Sequence, residues 1–282
     1  MTQGPSKTLP SAQNFPARLD HLVLNTHYDI DTALAQLQGL GFTLTPRGHH
    51  TLGSVNHLVM FAGGYLELIG QPRDSDKVRQ EILDSPLGLD GLVYAVDDVP
   101  ACHDAWQAMG LAVQPVQHFS RPVALDGGSV DARFSTVRLI PGQFAAGRVY
   151  ACHHFTPELV WRPEWMVHAN GVRGIDRLLV TDPQPQAAQA AYARLGVWDD
   201  GFALEFAQAA DLRARFGALA EFAPQRPTAF AALRFLGGNL AHLAAAAQAL
   251  DLPLQQDPDG QRLVLALPAF QALFEFRAAR SS

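Results

Sequence analysis

Short apolar runs of strand length alternate along the chain with stretches of helical apolar spacing, and the alternation recurs. Residues 19–42, 89–111, 175–197 and 230–252 share one plan. Each opens on an apolar run, passes a polar or Gly/Pro break, continues with helical spacing and ends on Gly or Asp before another β-like run. The second residue of the run and its terminator are Asp20 and Gly41, Asp90 and Gly110, Asp176 and Gly196, and Ala231 and Asp251, an interval of 20 or 21 residues each time. A fixed internal interval is the mark of a repeated supersecondary unit.

The helical stretches fit their period. Ile30, Leu34, Leu37 and Leu40 fall on one face. Gly41 and Gly110 stand where a left-handed C-terminal cap is favoured, and Pro100 suits a first helical turn. The β-like runs that follow are residues 42–45, 56–61 and 65–69, with Gly63-Gly64 as a tight turn, then 112–116, 132–140 and 148–154, with Asp126-Gly127-Gly128 and Pro141-Gly142 as turns. The third copy offers residues 201–206 and then a helical-looking 211–222. The expected fold is α+β: four repeated βαβββ modules forming two paired barrel-like mixed sheets with helices outside. The expected organisation is an N-terminal tail at 1–17, an N-terminal half at 18–162 (modules 18–70 and 89–161) and a C-terminal half at 171–279 (modules 174–222 and 228–277).

Composition narrows the function classes. The 282 residues are 48% hydrophobic and 17% charged, enough for a core and against whole-chain disorder. A formal net charge of -6 offers no basic face for nucleic acid. Cys102 and Cys152 are too few for a disulfide framework, which points to a reducing compartment. The N-terminus has no apolar signal run, and no stretch approaches the ~18–20 apolar residues of a membrane span. The expectation is a cytoplasmic monomer or homodimer that binds a small molecule, with no nucleic-acid or membrane partner. Phosphate-cradling glycine motifs are missing, so no nucleotide cofactor is expected.

Alternation also nominates chemistry. His21 is expected to share a face with Leu19 and Val23 while Leu22 and Leu24 face the helix; Tyr65, Glu67 and Ile69 share another. A carboxylate inside an apolar strand is costly to bury without a cation or hydrogen-bond partner. Imidazole and carboxylate on strands of one sheet suit Zn, Fe, Mn or Ni. The plainer alternatives are a hydrogen-bonded core histidine at His21 and an ion pair from Glu67 to Arg121 or Arg133. His49 and His50 precede the turn at Gly53-Ser54-Val55-Asn56, where an imidazole suits acid–base work. Arg121 suits a substrate carboxylate. Trp161 and Trp165 are expected to pack between the two barrels.

Four such modules, with His on a first strand and Glu on a fourth, resemble the vicinal-oxygen-chelate superfamily. The segments LDHLVL, GHHTLGSVNHLVMF, YLELIG, HFSRPVALDGGSV, VYACHHFTPELVW and HANGVRGIDRLLV are similar to its glyoxalase-like branch, over residues 18–277. The resemblance implies a divalent metal on a concave face, held by His21, Glu67 and one of His153 and His154, with His154 favoured. Gly91 occupies a further ligand position and supplies none. Arg177, Ala232 and Glu275 stand at the matching positions of the second half, which is therefore expected to be metal-free. The implied activity is that of a metal-dependent lyase, isomerase or dioxygenase acting on a small oxygen-bearing molecule in the N-terminal barrel. Glu67 and His50 would serve proton transfer, and Arg121, Asn56 and Arg133 substrate contacts. The alternative is a metal-free protein of the same fold that binds or sequesters a small molecule.

Overall fold

The computed structural model describes residues 16–125, 127–198 and 200–278. Residues 1–15 of the expected tail, Asp126 of an expected turn and residue 279 lie outside them. The first half runs β1 (Pro16–Ala17), β2 (Leu19–Asn25), α1 (Ile30–Gly39), β3 (Gly48–His49), β4 (Val55–Phe61), β5 (Gly64–Gly70), α2 (Gln80–Leu83), β6 (Gly88–Ala95), α3 (Val99–Ala108), β7 (Gln117–Leu125), β8 (Gly128–Arg138) and β9 (Arg148–His154). The second runs β10 (Val172–Thr181), α4 (Pro185–Ala193), β11 (Val197–Trp198), β12 (Ala203–Ala207), α5 (Leu212–Phe216), β13 (Ala229–Gly237), α6 (Leu240–Ala249), β14 (Leu254–Gln256), β15 (Arg262–Leu267) and β16 (Ala272–Arg277).

The strands form an eight-stranded sheet, β3-β4-β5-β2-β6-β9-β8-β7, and a six-stranded sheet, β12-β10-β13-β16-β15-β14. The fold class is α+β, as the residue pattern suggests. The larger sheet curls until its two edges meet: the Thr51 amide donates to the Ser120 carbonyl at 3.2 Å, making a nearly closed barrel. Outward-facing Leu22, Leu24, Leu66 and Leu68 pack beneath α1, whose buried face is Ile30, Ala33 and Leu37. That outer cluster is continuous with the outer face of the smaller sheet, so the two halves share one core. The approach is close at Gly88, where a Cβ would stand 2.1 Å from the Phe270 carbonyl oxygen.

Four local expectations need correction. Leu19 belongs to the outer cluster with Leu22 and Leu24, not to the face of His21 and Val23. The β2–β6 register slips between Leu19 and His21, and the extra residue, Asp20, reverses the alternation as a bulge does. Residues 112–116 contribute only an isolated bridge, Val113 to Leu139, because Pro115 cannot donate to a ladder. Residues 42–45 are not a strand. Pro16 and Ala17 pair in parallel with Val197 and Trp198 instead of extending a tail.

The two concave faces differ. On the smaller sheet, Leu212 and Phe216 of α5, one helical turn apart, pack with Leu219 and Ala223 on Leu179, Ala232, Val264 and Leu273 and fill the hollow. Inside the larger sheet a cavity remains. Trp161, Trp165 and Met166 pack on its inner cluster, and the Trp161 indole donates to the Phe61 carbonyl at 3.1 Å. These tryptophans thus serve the N-terminal barrel and not a seam between barrels. No helix among the described residues is long and apolar enough to cross a membrane.

Candidate metal centre and active-site cavity

The hollow of the larger sheet holds a cavity of about 40 Å³, lined by His21, His50, Asn56, Glu67, Arg121 and Tyr150 among others. Adjacent strands β2 and β5 run parallel with His21 beside Tyr65 and Val23 beside Glu67, which brings imidazole and carboxylate together. The His21 ring stacks on Tyr65, centroids 4.5 Å apart. Its Nδ1 lies 2.5 Å from Asp20 Oδ1, so Nδ1 donates to Asp20 and Nε2 is the nitrogen that faces the cavity. There Nε2 is 3.2 Å from the Tyr150 hydroxyl and 3.5 Å from Glu67 Oε2. Burial works to raise the Asp20 carboxyl, but His154 and His21 outweigh it and hold the group well below the usual carboxylate range.

Glu67 is fixed from its other side. Its Oε1 accepts from the Asn56 amide at 2.7 Å and lies 4.0 Å from His50 Nε2. Asn56 Nδ2 is also 3.2 Å from His50 Nε2, so its two hydrogens serve two acceptors, Glu67 and His50. His50 is then protonated on Nδ1, which donates to Ser54 Oγ at 2.8 Å; that oxygen also accepts from Arg79 at 2.9 Å. Burial, opposed by Glu67 but aided by Arg79, Arg121 and Arg138, lowers His50 to about 4 and leaves it a neutral base. Burial would raise Glu67, yet His21, His50, the Asn56 hydrogen bond and Arg148 together hold it below its ordinary value.

The other nominated residues are distributed unevenly. His154 lies on the inner face, its Nε2 3.2 Å from Asp20 Oδ1, so Asp20 stands between it and His21. His153 points the opposite way, with Nδ1 3.0 Å from the Val96 carbonyl. Arg121 reaches the cavity, whereas Arg133 is exposed, its guanidinium 6.0 Å from the Phe155 ring. Asp20, Cys152 and His154 form a second group whose ligand atoms lie within 4.8 Å of one another. Burial pushes the Cys152 thiol well up, which opposes the thiolate that a metal requires.

Strand register identifies a residue that sequence reasoning passed over. Val23 pairs with Glu67, Val93 with Tyr150, Leu179 with Glu205 and Arg234 with Glu275. Tyr150 thus holds on β9, beside β6, the register position that Glu67 holds on β5, beside β2, and burial keeps its phenol protonated. Gly91 has no room for a side chain: a Cβ there would stand 2.5 Å from Val23 Cγ2. In the other half, arginines occupy the place opposite the matching carboxylates. Arg215 lies 2.6 Å from Glu205 and 3.4 Å from Glu275, and Arg277 lies 2.9 Å from Glu275. Arg234 bonds Asp176 at 2.8 Å.

Comparison with known proteins follows the fold. No curated protein matches in sequence. A hypothetical protein from Staphylococcus aureus is similar in structure, with TM-score 0.62, 12% identity, and 93% of this chain and 99% of that chain covered. A triple mutant of 4-hydroxymandelate synthase from Streptomyces coelicolor gives TM-score 0.52 and 13% identity over 95% and 94% of the two chains. A fusion of a xylose isomerase-like TIM barrel with 4-hydroxyphenylpyruvate dioxygenase gives 0.55 and 11%, over 95% of this chain and 49% of that one. At these identities the likeness is one of fold. A family model described as a glyoxalase-like domain matches residues 19–196, most of both the barrel and its cavity, and the chain belongs to that family.

Proposed function

We propose that the chain is a metal-dependent enzyme acting on a small oxygen-bearing molecule inside the N-terminal barrel, with His21 and Glu67 holding a divalent Zn, Fe, Mn or Ni ion. The donor set fits. His21 presents Nε2 3.5 Å from a carboxylate oxygen, and the carboxylate behind its other nitrogen is the support that metal-ligating histidines require. Bound there, such a cation supplies Lewis-acid polarisation of a substrate's oxygen atoms. Solved neighbours named as a synthase and as a dioxygenase fusion, together with the glyoxalase-like family, support dioxygenase, isomerase or lyase chemistry for this site.

The protein's own groups have distinct tasks in this reading. Asp20 orients His21, and His154 orients Asp20, so His154 acts behind the metal ligand. Neutral His50 serves proton transfer through Nε2 where substrate displaces the Asn56 N–H from that lone pair; until then Asn56 holds the imidazole beside Glu67. Tyr150 donates a hydrogen bond to a substrate oxygen. Phe119 and Phe134, stacked 5.2 Å apart, form an apolar wall that limits water. The observation that carries the proposal is the His21–Glu67 approach within a buried cavity. The test is reconstitution of chelator-treated protein with each of the four metals, followed by a screen of small hydroxy, oxo and phenolic compounds. Turnover that requires metal and is lost in Glu67→Gln supports the enzyme. Saturable binding without turnover in every metal form would assign the chain to sequestration.

A further inference from the structure

Four arginines line the cavity, Arg79, Arg121, Arg138 and Arg148, against one lining carboxylate, Glu67. Two have partners elsewhere: Arg79 lies 2.7 Å from Glu81 and Arg148 2.5 Å from Asp90. Among the described residues no carboxylate oxygen lies within ion-pair distance of Arg121 or Arg138. Arg121 is 4% exposed, and its Nη2 has no hydrogen-bond partner. Nε of Arg138 and Nη2 of Arg148 are likewise buried without an acceptor. Buried guanidinium N–H groups with no acceptor are costly, and a cation without a counter-charge is more so.

We infer that Arg121, Arg138 and Arg148 form an anion subsite, and that the molecule the cavity takes is a small monocarboxylate whose remaining oxygen function faces His21 and Glu67. The inference rests on the reading of His21 and Glu67 as the reactive end of the cavity. A carboxylate matches the planar fork of a guanidinium in two parallel hydrogen bonds. A single negative charge fits better than a phosphate dianion because Glu67 already contributes one on the same cavity wall. The volume of about 40 Å³ restricts the ligand to a small one. Arg79 takes no part, since its N–H groups are engaged by Ser54 and Glu81.

The experiment is calorimetric titration of chelator-treated, full-length protein with three probes: lactate, its neutral amide and inorganic phosphate. Lactate is expected to bind saturably, the amide roughly ten-fold or more weakly, and phosphate more weakly than lactate. Arg121→Met is expected to lose lactate affinity by a similar factor. Because the titration uses metal-free protein, loss of the metal reading leaves this result intact; metal content is read separately by elemental analysis. Equal binding of lactate and its amide, or unchanged lactate binding in Arg121→Met, overturns the inference. Phosphate binding tighter than lactate overturns the carboxylate assignment. Should Arg121→Met not fold, the three-probe comparison on the unaltered chain and on Arg138→Met decides by the same criteria.

Discussion

The Asp20 carboxylate stands 2.5 Å from Nδ1 of its own sequence neighbour, His21. Adjacent residues of a regular strand face opposite ways; here the slip in the β2–β6 register turns both inward. Asp20 thereby fixes which nitrogen of His21 faces Glu67. Asp20→Asn is expected to weaken divalent-metal affinity about 10–100-fold, as loss of an outer-sphere carboxylate does. Competition with a chromophoric chelator measures it. Unchanged affinity would show that His21 needs no such support.

His50 gives a pH signature. Burial holds it neutral down to about pH 4, whereas in the unfolded chain it takes up a proton near 6.5. Between those values the unfolded state binds more protons, so stability rises with pH through that window and is fully present above 6.5. The contribution is of the order of 3 kcal/mol. Urea melts of metal-free protein from pH 4 to 7.5 are expected to show this slope, and His50→Gln to flatten it. Parallel profiles for the two chains would contradict the burial of His50 as a neutral base.

Gly91 is constrained by its neighbour on β2. In Gly91→Ala the new methyl meets Val23 Cγ2 at 2.5 Å, and overpacking of this kind costs about 1–3 kcal/mol. Adding Val23→Ala is expected to relieve part of that cost, giving a coupling measurable by a double-mutant cycle of denaturant melts. Additive effects would mean that the clash is not what keeps this position a glycine.

Phe216 is the largest fully buried side chain filling the smaller sheet's hollow. Phe216→Ala is expected to cost about 3–5 kcal/mol. Its effect on hydrogen exchange should be strongest in β10, β13 and β16, with lactate affinity in the other barrel unchanged. Equal loss of protection in β2 and β5 would show that the plug also supports the cavity.

Much of the fold is legible in the chain because alternating leucines and helical stripes report burial directly. Leu22, Leu24, Leu66 and Leu68 mark the outer face on their own, and the parity of Tyr65, Glu67 and Ile69 follows. The site is less legible for identifiable reasons. The bulge at Asp20 is set by pairing with β6, which no window on β2 reveals. Parity along β9 groups Arg148, Tyr150, Cys152 and His154, but a pair of adjacent histidines draws the eye from Tyr150, a phenol at a place where a ligand is sought. Arg138 and Arg148 read as ordinary charges at strand ends, and the curl of the sheet brings them to one cavity. Arg121 and Arg133 are indistinguishable in sequence, and the β7–β8 pairing sends one into the barrel and leaves the other outside.

Metal stoichiometry tests the central claim most directly. Elemental analysis of metal-replete, exhaustively dialysed protein should find one divalent ion per chain in the unaltered protein and in Cys152→Ala, and none in His21→Ala or Glu67→Gln. No ion in the unaltered protein, or an ion that survives Glu67→Gln and disappears in Cys152→Ala, would contradict a centre built on His21 and Glu67.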